Sequence, residues 1–306
     1  MYVRLLGTAA GGGVPQWNCN CAQCRGLRQG TLRVLPRTQS SVALSADGRR
    51  WFLLNASPDI RQQIEAFPPL TPPPGKARGS AIEALFLTDA DLDHTLGLLI
   101  VREGLQRTIY ATATVRHALT EGLALTSALQ HYCAVDWREP ATELTPLLMA
   151  DGSPSGLSYA ACLVDGHAPL YMGRQAAPQP GDRVGYRFVD QQSGCCLLYL
   201  PGLGQIDETV KALLVGCDAL LLDGTFWSEH EMEEMGLGSR SASEMGHLPV
   251  GGSRGSLARI APLAIKRKIY VHINNTNPML VEDSPERREV LAAGVEIGQD
   301  GQEIIL

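Results

Sequence analysis

The feature that most constrains the fold is a series of short apolar runs with helical patterns between them. Strands that are covered by helices on both faces are apolar nearly throughout, whereas amphipathic helices repeat their apolar positions every three to four residues. The runs at 2–6, 40–45, 51–55, 84–87, 196–200, 219–223 and 268–273 are therefore predicted to be strands. Their alternation with helical patterns indicates an α/β protein.

Helices are predicted at 96–103, 113–121, 207–215, 256–264 and 285–293. Asp207 and Ser284 stand where N-caps belong, and Pro285 suits a first helical position. Two antiparallel hairpins are predicted near the ends of the chain, at 40–55 and 295–306. Together these patterns favour a sandwich of sheets flanked by helices over a barrel.

Composition and charge exclude several classes of protein. The chain of 306 residues is 44% hydrophobic and 19% charged, which is typical of a folded globular enzyme. Its net charge of −6 provides no broad basic face for nucleic acid. Because it has neither a signal-peptide core nor about 18 uninterrupted apolar residues, we expect a cytoplasmic protein that does not enter a membrane. We expect one domain over 1–306 and a small substrate or protein partner.

Three cysteines form a CxCxxC cluster at Cys19, Cys21 and Cys24. Three thiolates so close together suit a tetrahedral Zn²⁺ site, and disulfides are rare in the cytoplasm. The alternatives are surface thiols without a metal and a redox pair. We predict a structural zinc knuckle at about residues 15–26, with its fourth ligand from elsewhere in the chain. If Trp17 in this loop is exposed, it offers a contact surface for a homodimer.

A second cluster is acidic and follows the predicted strand at 84–87. Asp89, Asp91, Asp93 and His94 alternate through one turn, at the strand end where open α/β sheets bind ligands. Crowded carboxylates repel one another unless a cation is present or the turn is solvated. The residues therefore leave two hypotheses open, a divalent metal site or a solvated turn in which Asp93 caps the next helix.

The string LTDADLDHTLGL, at 87–98, resembles the HxHxDH signature of the metallo-β-lactamase fold family. Asp89 and Asp91 stand at the two leading histidine positions, while Asp93 and His94 retain the family residues. In dinuclear relatives the leading pair binds one metal and the trailing pair binds the other. The resemblance implies an αββα sandwich with its metal at one edge.

Other strings extend this resemblance along the chain. The CxCxxC cluster is shared with PhnP-like phosphodiesterases. Its combination with TDADLDH, LLLDGTFW, MGHLP and HINNTNP resembles the branch of the family that serves in making the redox cofactor pyrroloquinoline quinone (PQQ). The resemblance implies a tyrosine-derived PQQ precursor or small peptide as substrate, and other proteins of the PQQ pathway as partners.

The resemblance also implies roles for single residues. His272 matches the late metal-binding histidine, and Asn275 stands where relatives carry the fourth ligand of the cysteine zinc. His247 matches a loop histidine that acts as an acid, a base or a substrate contact. His167 stands near a first-site histidine position or faces solvent, and Asp223 either lies near the site or caps a helix. Pro201 and Gly202 replace the usual bridging aspartate.

The retained ligands Asp93, His94 and His272 are one carboxylate and two imidazoles, the ligand set of non-haem iron oxygenases. We therefore expect one active-site divalent ion, Fe²⁺ with Zn²⁺ and Mn²⁺ as alternatives, and hydroxylation of the PQQ precursor. Asp89 and Asp91 are expected to act as outer-sphere carboxylates or as an extra ligand, and His247 to move a proton. The alternatives are a metal-dependent hydrolase of a peptide or phosphoester, and a non-catalytic carrier of PQQ or its precursor.

Overall fold

The computed structural model describes residues 1–103, 106–173 and 177–306. Its strands in chain order are β1 (Tyr2–Gly7), β2 (Ser41–Ser45), β3 (Trp51–Leu54), β4 (Ile82–Phe86), β5 (Gln106–Tyr110), β6 (Ala134–Arg138), β7 (Thr145–Leu148), β8 (Pro154–Leu163), β9 (Val184–Asp190), β10 (Cys196–Leu200), β11 (Ala219–Asp223), β12 (Arg267–Val271), β13 (Glu296–Ile297) and β14 (Glu303–Ile305). Within the described ranges they form two seven-stranded sheets, in the orders β14-β1-β2-β3-β4-β5-β6 and β13-β12-β11-β10-β9-β8-β7.

The α-helices are short. They are α1 (Ala22–Gln29), α2 (Ile60–Glu65), α3 (Leu92–Thr95), α4 (Gly97–Ile100), α5 (Ala113–His117), α6 (Leu125–Leu129), α7 (Glu208–Leu214), α8 (Glu231–Glu234), α9 (Ser256–Ile260) and α10 (Pro285–Ala292). Among the described residues, no helix has the length and apolar character needed to cross a membrane.

The two sheets pack face to face, with helices on both outer faces. Successive strand residues point to opposite faces, so Phe52 of β3 lies in the core between the sheets, where Phe86 of β4 packs against Phe188 of β9. Leu53 points the other way, into a second cluster with helix residues such as Ile60. This explains why the predicted strands are apolar nearly throughout, and the predicted αββα sandwich is confirmed.

Several parallel strands end at the same edge of the sandwich. In one sheet β10, β11 and β12 run parallel to one another, and in the other β4 runs parallel to β3 and β5. The loops that follow β4, β10, β11 and β12 therefore lie together at this edge, which is where open α/β sheets bind ligands.

Most predicted elements agree with the structure, but one hairpin is wrong. The bounds predicted for β10 and β11 match, and Asp207 and Ser284 cap α7 and α10 through their side chains. The hairpin predicted at 295–306 does not form. Instead β13 pairs with β12 in one sheet, and β14 pairs with β1 in the other. β13 therefore extends the sheet of the preceding strand, whereas β14 joins the first strand of the chain in the other sheet.

Candidate metal centre

The acidic turn leads from β4 into α3 and presents Asp93 towards the other sheet. The Oδ2 of Asp93 lies 3.1 Å from Nε2 of His272, which directly follows β12. Asp91 occupies the N-cap position of α3, although its side chain makes no capping hydrogen bond to the described backbone there. The alternative in which Asp93 caps a helix that begins near Thr95 is therefore wrong, because α3 begins at Leu92 and Asp93 lies within its first turn.

His272 has a backbone conformation that is rare for a residue with a side chain. Its φ of 54° lies in the left-handed region, and such residues cost on the order of 1–3 kcal/mol unless the surroundings hold them. The neighbouring Ile273 fixes the turn, since it donates a backbone hydrogen bond to Thr8 and accepts one from Ala10. This turn directs the imidazole of His272 towards Asp93 and His94.

Three side chains from the two sheets thus share one small volume. The Nε2 of His94 lies 4.0 Å from Oδ2 of Asp93, and the ligand atoms of Asp93, His94 and His272 all lie within 4.8 Å of one another. The Nε2 of His94 is buried and has no hydrogen-bond partner among the described residues. Metal bonds to imidazole and carboxylate are about 2.0–2.2 Å long. A single divalent ion can therefore contact all three groups, and it would satisfy the unpartnered nitrogen.

Asp89 supports His94 from behind. Both of its carboxylate oxygens lie 2.8 Å from Nδ1 of His94, and the carboxylate also accepts hydrogen bonds from Thr88 and from the backbone of Asp91. This contact holds a proton on Nδ1, so that Nε2 is the nitrogen available to a metal ion, as in many histidine ligands of metals. Burial lowers the pKa of His94, but the negative charges of Asp89 and Asp93 outweigh burial and raise it to about 9. The pocket therefore favours positive charge.

Thr225 supports His272 in the same way. Its hydroxyl lies 2.6 Å from Oδ1 of Asp223 and 2.8 Å from Nδ1 of His272. One hydroxyl has one proton, and the carboxylate is the stronger acceptor. The hydroxyl therefore donates to Asp223 and accepts from Nδ1 of His272, which makes Nε2 of His272 the nitrogen that faces Asp93 and is available to a metal ion.

Asp223 also holds His247 at the edge of the centre. The Oδ2 of Asp223 lies 2.6 Å from Nδ1 of His247, whose ring stacks on His272 with centroids 5.4 Å apart. The ligand atoms of Asp223, His247 and His272 form a second possible metal group. The carboxylate of Asp223, however, already accepts hydrogen bonds from Leu203, Thr225 and His247. It is therefore better described as the partner that orients His247, and it does not cap a helix.

The remaining candidate residues lie outside these groups. The side chain of Asp91 is 43% exposed, and its Oδ2 is 3.8 Å from Nη2 of Arg183. His167 is exposed and lines a cavity of about 600 Å³ beside Gly246. Within the described residues, His167 joins none of the groups able to hold a metal. Neither Thr225 nor Arg183 is predicted from the sequence. A threonine two residues after a strand-ending aspartate is a signal for Thr225, whereas no sequence signal marks Arg183.

The three cysteines form a compact group with Asn275. The amide nitrogen assigned to Asn275 lies 3.2, 3.5 and 3.4 Å from the Sγ atoms of Cys19, Cys21 and Cys24. Zinc bonds of about 2.3 Å to sulfur and about 2.0–2.2 Å to oxygen give tetrahedron edges of about 3.5 Å. Rotation of the amide places Oδ1 at this fourth corner. The four residues thus fit a tetrahedral ion, with no corner left for substrate.

Comparison with known proteins agrees with this fold and identifies the family. Residues 50–273 match the family described as "Beta-lactamase superfamily domain", so the protein is a member of that superfamily. Over its whole length the chain is 46% identical to the coenzyme PQQ synthesis protein B of Pseudomonas putida, with 100% of both chains covered. The chain therefore belongs to the coenzyme PQQ synthesis protein B family, and the predicted resemblance is confirmed.

Solved structures give the same result. The crystal structure of Zn²⁺-bound PqqB from Methylobacterium extorquens is 41% identical, with a TM-score of 0.89 and 100% of both chains covered. A diphosphatase of the PhnP family is 21% identical, with a TM-score of 0.68 and 100% of this chain and 97% of that chain covered. The second likeness shows a shared fold alone.

Proposed function

We propose that this protein acts in PQQ biosynthesis as a mononuclear, metal-dependent oxygenase that hydroxylates a tyrosine-derived precursor. Membership of the coenzyme PQQ synthesis protein B family supports the pathway. The observation that carries the reaction type is the convergence of Asp93, His94 and His272 from both sheets. One carboxylate and two imidazoles on one side of an ion form the ligand set of non-haem iron oxygenases.

The donor set fits a divalent ion. The carboxylate and imidazoles suit Fe²⁺, although such mixed ligands also accept Zn²⁺ and Mn²⁺. When bound, ferrous iron would supply the activation of dioxygen that hydroxylation requires. The overall reaction consumes one dioxygen, two electrons and two protons, and yields one hydroxyl group and one water. A reductant from outside the protein must provide the electrons.

The protein's own residues position the ligands and move the proton. Asp89 keeps the proton of His94 on Nδ1, and Thr225 does the same for His272. Asp223 holds His247 through Nδ1 and so leaves Nε2 of His247 for a proton exchanged with substrate. Burial lowers the pKa of His247, so its imidazole is neutral near pH 7 and can accept a proton.

A zinc-dependent hydrolase is the second candidate. A Zn²⁺-bound structure is known for a relative, and the pair of Asp223 and His247 has the geometry of a general base with its orienting carboxylate. Such an enzyme would cleave a peptide or phosphoester and would need no oxygen. Oxygen dependence therefore distinguishes the two candidates.

The experiment is anaerobic reconstitution with ferrous iron, followed by exposure to ¹⁸O₂ with ascorbate and a tyrosine-containing peptide. We expect mass spectrometry to show the gain of one ¹⁸O atom in the peptide. Zinc-loaded protein and the His94→Ala variant are the controls, and both should leave the peptide unchanged. An unchanged peptide mass with iron and oxygen, or cleavage by the zinc-loaded protein, would refute the oxygenase. Normal PQQ production by cells that carry His94→Ala would favour a carrier.

We also propose a homodimer. Trp17 in the loop of the cysteine group is 86% exposed and is therefore available as a contact between two copies of the chain. Sedimentation of wild type and Trp17→Ala measures this directly, and we expect the variant to sediment as a smaller species.

A further inference from the structure

Arg183 is a buried cation beside the candidate metal centre. It directly precedes β9, is 4% exposed, and donates one hydrogen bond of 2.7 Å from Nη1 to the backbone oxygen of Gly246. Its Nε is buried without a partner in the described part of the chain. Its Nη2 lies 3.8 Å from the carboxylate of Asp91, an ion pair beyond hydrogen-bond distance. Burial of a guanidinium with so few partners is costly, so its place in this cleft requires an explanation.

Three glycines from separate loops make room for this side chain. A Cβ on Gly202 would lie 2.9 Å from Nε of Arg183, and a Cβ on Gly246 would lie 2.7 Å from Nη1. A Cβ on Gly166 would also overlap with Arg183. A larger residue at Gly202 or Gly246 would displace the guanidinium, and one at Gly166 would overlap with the Cβ of Arg183, so the shape of the site holds the side chain in one place.

The guanidinium borders residues at the positions that bind the other metal in dinuclear members of the fold family. Gly202 follows β10, where those members carry the bridging aspartate, and Asp91 stands at a leading histidine position. The ring of His167 would lie 3.3 Å from the same Cβ on Gly246 that meets Arg183. The guanidinium therefore lies beside Asp91, Gly202 and His167, the residues at the positions of that other metal. Its positive charge does not fit a second ion there.

We propose that Arg183 substitutes for the second metal ion, so that the cleft accepts one divalent ion only. The fixed positive charge compensates the acidic turn, which otherwise carries the uncompensated carboxylate of Asp91. A second ion about 3.5–4 Å from the first and bound by Asp91 would lie beside the guanidinium, which would repel it. The inference rests on the proposed metal centre but not on the reaction that occurs there.

The test is a titration with Mn²⁺, followed by metal analysis and by electron paramagnetic resonance, in which a close Mn²⁺ pair gives a coupled signal. We expect wild type to bind one Mn²⁺ in addition to the cysteine-bound ion. The double variant Arg183→Met/Gly202→Asp removes the cation and restores a bridging carboxylate, and we expect it to bind two with a coupled signal. Arg183→Lys keeps the charge and should bind one.

Two results would overturn the proposal. One is a coupled pair of Mn²⁺ ions in wild type. The other is a folded double variant, verified by circular dichroism, that still binds one ion. If the double variant does not fold, Arg183→Met decides, because its affinity for a second Mn²⁺ should exceed that of wild type by at least about tenfold. Loss of the first ion from His94→Ala, measured in parallel, tests the metal centre separately.

Discussion

The cysteine group and the centre formed by Asp93, His94 and His272, here called the cleft centre, are two possible metal sites. One short segment of the chain joins them, yet they are built in opposite ways. Cys19, Cys21 and Cys24 lie within six residues of sequence, and Asn275 completes a closed tetrahedron around them. In the cleft centre Asp93 and His272 are 179 residues apart, and with His94 they supply three ligands, which leaves coordination positions on an ion for other groups. The first site needs a tight turn, whereas the second needs both sheets to be folded.

This difference separates a structural role from a chemical one. A closed site of soft thiolates stabilises the fold around it, while an open site of mixed ligands leaves room for reactants. The segment from His272 to Asn275 belongs to both sites. Binding at the cysteine group therefore fixes the end of the loop that carries a cleft ligand, and substitutions at the two sites should have separable effects.

The largest effect is expected for His94→Ala. The variant removes a cleft ligand, so the affinity for the cleft ion should fall by more than the roughly 10–100-fold that loss of a supporting residue costs, and turnover should fall to background. Equilibrium dialysis with metal analysis and peptide hydroxylation measure these effects. His230→Ala, at an exposed histidine, is the control. If His94→Ala retained the cleft ion, His94 would not be a ligand and the proposed contrast between the two sites would be wrong.

Asp89→Asn should have the next largest effect. The amide cannot hold Nδ1–H of His94 as the carboxylate does, so we expect about 10–100-fold weaker binding of the cleft ion without loss of the fold. The same dialysis measures it. Asp91→Asn is the matched control, because the side chain of Asp91 points to Arg183 and not to a ligand. Equal affinities for both variants would show that Asp89 does not support His94.

Thr225→Val should have a smaller effect, near the lower end of that range, about tenfold. Valine has nearly the same shape but no oxygen to accept the proton of His272 Nδ1. Thr225→Ser keeps the hydroxyl and should restore the affinity of wild type. If serine fails to rescue binding, the side chain acts through packing instead of through its hydrogen bond.

The smallest effect on chemistry is expected for Cys21→Ser, which instead lowers stability. Loss of a structural ion should cost on the order of 3 kcal/mol and lower the Tm by roughly 6–12 °C. Calorimetry and zinc analysis measure this, with Cys195→Ser as control. Turnover per cleft ion should stay close to that of wild type at low temperature. Unchanged zinc content in Cys21→Ser would contradict the assignment of the cysteine group.

Much of the fold could be predicted because its strands are encoded locally. β10 and β11 are uninterrupted apolar runs, and Asp207 and Ser284 mark their helices through side-chain caps. The sequence does not predict β8, since its mixed exposure gives no continuous apolar run. β14 pairs with β1 at the other end of the chain and not with the neighbouring β13, a long-range choice that local patterns do not specify.

The cleft centre could be predicted only where its residues lie in a local motif or match a family. Asp93 and His94 lie in a motif, and resemblance to a family places His272. Thr225 acts through contacts that exist only once β11 and β12 are side by side. Arg183 reaches the cleft through room left by glycines from three loops, a property of tertiary structure that no local sequence pattern contains.

The most direct test of the central claim is anomalous diffraction from crystals loaded anaerobically with ferrous iron, with data on both sides of the iron edge. We predict an iron peak bonded to Asp93, His94 and His272, and a separate zinc peak among the three cysteines and Asn275. An iron peak elsewhere, or one that contacts neither His94 nor His272, would contradict the account.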